Sequence, residues 1–202
     1  MTKIAVFASG SGSNFGAILQ AIERKELDAT VELLICDKPN AYVMERARQA
    51  GVDSFVFQAK SFSSKEQYER VILEQLQSKN VEWIVLAGYM RLIGTVLLTS
   101  YEKRIINIHP SLLPAFAGKD AVGQAIDYGV KVMGVTVHFV DEGMDTGPII
   151  SQQSFHVQGD MSRSVIEDQI HFIEHELYPE TLQQLFTKKG VHMVNANERM
   201  EE

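Results

Sequence analysis

An alternation of two kinds of segment limits the fold of this chain more than any other feature. Short apolar runs rich in β-branched residues occur at Ile4–Ala8, Val31–Cys36, Ser54–Phe57, Trp83–Ala87 and Ile105–Ile108, with longer polar stretches of helical period between them. Runs this short and this apolar suit strands buried on both faces. Phe15, Ile18, Leu19 and Ile22 recur on one helical face. Tyr68, Val71, Ile72 and Leu76 do the same, in a helix predicted to open at a Ser63/Glu66 capping box and to run to about Ser78. Strand, helix, strand, helix implies right-handed crossovers and an α/β fold whose parallel, twisted sheet carries helices on both faces.

The pattern changes after Pro114. Met133–Val140 alternates, with Val135, Val137 and Phe139 on one side and Thr136 and His138 on the other, and Ile149–Val157 follows a Gly-Pro turn. That predicts an antiparallel hairpin added to the mostly parallel sheet. A long helix is expected from Ser162 to Phe186, with Val165, Ile166, Ile170, Ile173 and Leu177 facing inward. No repeat or linker divides the chain, so residues 1–187 are expected to form a single domain and the polar stretch 188–202 a frayed tail.

Composition narrows the function classes. The 202 residues carry 26 acidic and 19 basic side chains, a net charge of −7, which argues against a general nucleic-acid binder. The one cysteine, Cys36, cannot form an intramolecular disulfide and fits a reducing cytoplasm. The apolar stretch between Lys3 and Gly10 is too short for a secretion signal, and no later segment is long and apolar enough to span a membrane. A soluble cytoplasmic protein without nucleic-acid or membrane partners is the expectation.

Four segments carry chemistry. Ser9-Gly10-Ser11-Gly12-Ser13-Asn14 lies between the first strand and the first helix, where close backbone approach and free helix N–H groups favour a phosphate. It approximates the Rossmann dinucleotide fingerprint, with Asp37 where a ribose-binding acid belongs, but Phe15 stands at the third glycine position. A tight turn with no ligand is the competing reading. In Asn107-Ile108-His109-Pro110, a carboxamide and an imidazole at i and i+2 leave the same face of a strand at its carboxyl end. They could donate to an oxyanion and carry a proton, or simply satisfy backbone groups there. Asp141 to Pro148 packs three carboxylates between the hairpin strands, as a solvated turn or with one acid facing a cleft beside His109. Gly88-Tyr89-Met90-Arg91-Leu92-Ile93 follows the fourth strand, as a pocket wall or a plain loop. His171-Phe172-Ile173-Glu174-His175 matches an inverted zinc-protease pattern, but little chain follows to supply a third ligand, and no metal is expected.

Taken together, ASGSGSN, LAGYMRLI, IINIHPSLLP and DEGMDTGPI occur in the order and at the separations that resemble the folate-dependent formyltransferases, and within them the glycinamide ribonucleotide formyltransferase group. The resemblance runs from residue 3 to about residue 187. It implies transfer of the formyl group of 10-formyltetrahydrofolate, a co-substrate, to the amine of glycinamide ribonucleotide in de novo purine biosynthesis. It implies catalytic roles for Asn107, His109 and Asp145, with Asp145 keeping the histidine protonated. It assigns the ribonucleotide to Gly12, Ser13, Asn14 and Glu174. The folate falls to Lys65, Met90, Arg91, Leu92, Ile93, Asn107 and the loop Asp141, Glu142, Gly143, Met144, Asp145. The partners implied are these small molecules alone, in a monomer or a homodimer. Sibling formyltransferases that act on tRNA or hydrolyse the folate usually carry another domain, for which this chain has no room. A nicotinamide oxidoreductase would use the first loop and Asp37 but leave the Asn107, His109, Asp145 set idle; a ribonucleotide sensor would use the loop without chemistry. One departure stands out: Ala117 occupies a place where relatives often have proline, which should loosen Phe116-Ala117-Gly118-Lys119 without removing a catalytic group.

Overall fold

The computed structural model describes residues 1–159 and 161–187. The predicted tail, 188–202, lies outside the described residues. Among the described residues, seven strands form one sheet: β1 (Thr2–Ala8), β2 (Ala29–Cys36), β3 (Ser54–Val56), β4 (Trp83–Leu86), β5 (Ile105–His109), β6 (Val132–Phe139) and β7 (Ile149–His156), in the order β3-β2-β1-β4-β5-β6-β7. The first five pair in parallel; β6 runs antiparallel to both β5 and β7. The strand order reverses between β1 and β4, which makes the carboxyl ends of those strands the place where an open α/β sheet takes a ligand.

Among the described residues, six α-helices cover the sheet: α1 (Ser13–Glu23), α2 (Val43–Gln49), α3 (Lys65–Ser78), α4 (Thr95–Ser100), α5 (Ala121–Tyr128) and α6 (Arg163–Thr187). The period of two along each strand divides the core. Ile4, Val6, Val85, Ile106 and Ile108 pack beneath α1, α2, α5 and α6, whereas Ala5, Phe7, Ile84 and Ile105 pack beneath α3 and α4. Because both faces of β1, β4 and β5 are buried, these strands read as continuous apolar runs, whereas β3, expected to be buried, is exposed or half-buried at the sheet edge.

Two expectations shift in detail. The cap of α3 is Ser64, not Ser63: Ser64 is extended and its hydroxyl accepts from the Gln67 N–H at 3.2 Å, while the Gln67 side chain accepts from the Ser63 N–H at 2.7 Å. The box therefore closes on Gln67, one residue later than the Ser63/Glu66 spacing suggested. Val165 is exposed, because the inward stripe of α6 follows Ile166, Ile170, Ile173 and Leu177, and Val165 lies a third of a turn away. The short helices α2, α4 and α5 had no periodic signal long enough to read.

One residue past Leu177, Tyr178 is fully buried, and its hydroxyl lies 2.9 Å from the Leu86 carbonyl and 3.1 Å from the Ile106 carbonyl. It joins α6 to adjacent strands β4 and β5 just before their functional ends. Tyr178→Phe should lower unfolding stability by about 1–2 kcal/mol in a denaturant titration with unchanged slope, since two buried acceptors lose their donor.

Candidate active site

The sequence places Gly12 where no other residue fits. It has φ of +72°, and a Cβ there would meet the Val43 side chain at 2.5 Å. Val43 N–H donates to the Gly10 carbonyl at 3.1 Å and Arg46 Nε to the Ser11 carbonyl at 2.9 Å, so α2 holds the loop by its acceptors. The N–H groups of the first turn of α1 then have no partner within the helix and open on the sheet edge. The loop lines a cleft of about 930 Å³ that crosses the carboxyl edge of the sheet.

Of the residues predicted for the site, all line this cleft except Lys65 and Glu142. Lys65 lies in the first turn of α3, its stem beside Gly94 and Glu69, and Glu142 is exposed at the tip of its loop. The three acids of that loop divide as one of the two sequence readings required. Asp141 shapes the turn, accepting from the Gly143 N–H at 3.0 Å and the Thr146 hydroxyl at 2.7 Å. Asp145, with φ of +58°, is turned inward with its side chain only 15 % exposed.

Asn107, His109 and Asp145 come together. Asp145 Oδ2 is 3.4 Å from His109 Nδ1 and accepts from the Gly118 N–H at 2.8 Å; its Oδ1 is 3.5 Å from Asn107 Nδ2. His109 Nε2 is 2.9 Å from the Phe116 carbonyl, which can only accept, so that nitrogen carries a proton. The Phe116–Gly118 loop is thus pinned to the cluster on both sides of Ala117, by a carbonyl on His109 and an N–H on Asp145.

His138 also belongs to the cluster, and the sequence reading assigned it no role. Antiparallel register sets it directly opposite Asn107. Its Nδ1 donates to the Phe139 carbonyl at 2.7 Å, leaving Nε2 to accept from Asn107 Nδ2 at 3.1 Å. Burial pushes the His138 imidazole below its ordinary value, so it is a neutral acceptor beside Asp145 rather than an ion-pair partner. Turning the Asn107 amide over would set its oxygen against two acceptors, so His138 and Asp145 together fix its orientation. The available signal was the alternation of β6, which put His138 on the polar side.

At the other end of the cleft, Asn14 Nδ2 donates to Glu174 Oε2 at 3.1 Å, and both side chains are buried. Burial raises the Glu174 carboxyl above its ordinary 4.5, with the Asn14 bond opposing. Glu174 turns to α1, while the His171 and His175 rings stack at 6.3 Å between centroids. Among the described residues, no three His, Cys, Asp or Glu side chains gather as a metal site, and no helix is long and apolar enough to cross a membrane. Asp37 is not free for a ribose: one of its oxygens accepts from the Ser9 hydroxyl at 2.6 Å and the other from Arg91 Nε at 2.8 Å.

An open α/β sheet whose edge brings a helix start and a cluster of Asn107, His109 and Asp145 into one cleft has the arrangement of an enzyme site. The chain belongs to the formyl transferase family, whose pattern matches residues 2–182. It is 55 % identical to the phosphoribosylglycinamide formyltransferase of Bacillus subtilis over 92 % of this chain and 95 % of that one. Its fold matches glycinamide ribonucleotide transformylase 1 from Geobacillus kaustophilus at a TM-score of 0.89 and 55 % identity, covering 92 % of this chain and 98 % of that one. The phosphoribosylglycinamide formyltransferase of Bacillus halodurans matches at 0.91 and 48 % identity, over 94 % and 97 %.

Two outcomes follow from the burial of these groups. At pH 6.5, the ordinary histidine value, nitrogen NMR should show His138 mostly neutral with its proton on Nδ1; a doubly protonated ring would contradict its role as acceptor. The raised Glu174 carboxyl means that the folded chain holds this proton more tightly than the unfolded chain. The stability it contributes is therefore complete below 4.5 and is lost as pH rises through the folded value. Glu174→Gln removes that dependence, so its melting temperature relative to the wild type should climb as pH rises above 4.5. A difference that stays level as pH rises above 4.5 contradicts the burial argument.

Proposed function

We propose that this chain transfers the formyl group of 10-formyltetrahydrofolate to the amine of glycinamide ribonucleotide, giving formylglycinamide ribonucleotide and tetrahydrofolate. The observation that carries the reading is the meeting of Asn107, His109 and Asp145 in the same cleft as the Gly12–Asn14 helix start. The relatives' names support it.

In this reading the ribonucleotide phosphate sits on the N–H groups of Gly12, Ser13 and Asn14, with Glu174 beside its sugar or amine. The folate lies against Met90–Ile93 and the Asp141–Asp145 loop. Lys65 and Glu142, outside the cleft lining, are reserved for the folate's outer end. The substrate amine is the nucleophile, so no serine or cysteine has to attack. Its lone pair adds to the formyl carbon, and the carbonyl electrons move to oxygen. The His109 Nε2 proton stabilises that oxyanion after exchanging the Phe116 carbonyl for it. The Asn107 N–H that reaches Asp145 only at 3.5 Å is the one free to help, while His138 holds the other at 3.1 Å. Collapse restores the carbonyl and expels the folate nitrogen, which takes a proton as the amine loses one. Asp145 holds the imidazole in place throughout. Much of the rate enhancement comes from orienting two substrates in one cleft.

Residues 1–187 act as one domain on small molecules alone, and the buried, unpaired Cys36 agrees with a cytoplasmic setting. The deciding assay follows the absorbance of tetrahydrofolate released from 10-formyltetrahydrofolate on addition of glycinamide ribonucleotide. No release with this amine overturns the reading. His109→Ala and Asp145→Ala should each lower kcat by about 10²–10⁴-fold with far smaller changes in KM. Near-normal turnover by both would refute the assigned roles.

A further inference from the structure

The two loops assigned to different substrates are bonded to each other through groups that take no part in the chemistry. Asp37, at the end of β2, has a side chain only 4 % exposed. Its Oδ1 accepts from the Ser9 hydroxyl at 2.6 Å and its Oδ2 from Arg91 Nε at 2.8 Å. Ser9, buried at the end of β1, accepts in turn from the Met90 N–H at 3.0 Å, and its own N–H donates to the Gly88 carbonyl at 3.0 Å. Gly88 has φ of +74°, which turns the chain back after β4, and Tyr89 packs edge-on against Phe7 at 5.3 Å. Three neighbouring strand ends, those of β2, β1 and β4, are thereby tied by one carboxylate and one hydroxyl.

Position gives this tie its meaning. Ser9 leads directly into Gly10–Asn14, and Met90 and Arg91 lead into Leu92 and Ile93, so a shift of either loop strains the same short bonds. A buried carboxylate paired with a half-exposed guanidinium is a poor device for stability alone, because desolvation offsets much of the attraction. As a positioning device it is effective: both oxygens have directed partners, and Asp37 cannot move without moving Arg91 or Ser9.

We propose that Ser9 and Asp37, as positioning residues, join Arg91 of the folate loop in a coupling clamp, through which a phosphate seated on the first loop sets the second, so that ribonucleotide and folate bind with positive cooperativity. The clamp rests on the assignment of the two loops given above. Ordering one loop through these bonds leaves less to be ordered when the second ligand arrives. The charge-neutral change Asp37→Asn removes the ion pair, and Ser9→Ala separately removes the hydroxyl that joins Asp37 to Met90.

The test measures binding of 5-formyltetrahydrofolate by calorimetry with and without glycinamide ribonucleotide, and steady-state kinetics with both substrates. Wild-type protein should bind the folate at least about fivefold more tightly when the ribonucleotide is present, and each variant should retain less than about twofold. In each variant KM for 10-formyltetrahydrofolate should rise about tenfold while kcat at saturation stays within about threefold. Variants that melt at lower temperature but keep wild-type coupling and folate KM would overturn the clamp and leave a merely structural tie. Wild-type protein that binds both ligands without coupling overturns the clamp alone, whereas wild-type protein that binds neither overturns the reading of the cleft as well.

Discussion

The arrangement of the cleft depends on the register of β5 against β6. Antiparallel pairing puts Asn107 opposite His138 and His109 opposite Thr136, so an amide and the imidazole that orients it share one side of the sheet. A slip of one residue would exchange His138 for Val137 or Phe139 and send the polar pair to the opposite face. Apolar neighbours hold the register: Ile106 and Ile108 are buried under the α1 and α6 layer, and Val135 and Val137 join them there. Hydrophobic burial on one face thus fixes polar geometry on the other.

The loops that complete the cluster are held in conformations that cost energy. Phe116, Asp120 and Asp145 all have positive φ, and none is glycine. Each is restrained by a bond toward the cleft or its rim. The Phe116 carbonyl meets His109, the Asp120 side chain caps α5 by accepting from the Gly123 N–H, and Asp145 accepts from Gly118. The strain and the bonds belong together, since a relaxed loop would carry Asp145 away from the imidazole.

The sheet divides labour along its edge. On the α1 and α6 side, a helix start and a buried Asn14–Glu174 pair form one end of the cleft; on the β5 and β6 side, the acid–base cluster forms the other. Between them the β4 loop is tied to β1 and β2 through Ser9 and Asp37. Asp37 illustrates how context decides function. At the same place in the chain, an acid after the second strand can serve a ribose, but here both its oxygens face protein donors.

Much of the architecture could be read from the chain because it rests on period and composition. Buried strands must be continuous apolar runs, covering helices must carry one apolar stripe, and a glycine-rich turn before a helix exposes backbone N–H groups. The motif residues could be read too, since i and i+2 on a strand share a face wherever the strand lies. Contacts far apart in the chain could not be read: the pairing of Asn107 with His138, of Arg91 with Asp37, and of Glu174 with Asn14. A side chain's partner across tens of residues depends on strand register and loop conformation, which are set by the sum of many weak packing terms and leave no local trace. For the same reason the sequence could present the acids of the Asp141–Asp145 loop as equals, and only the folded chain turned one inward.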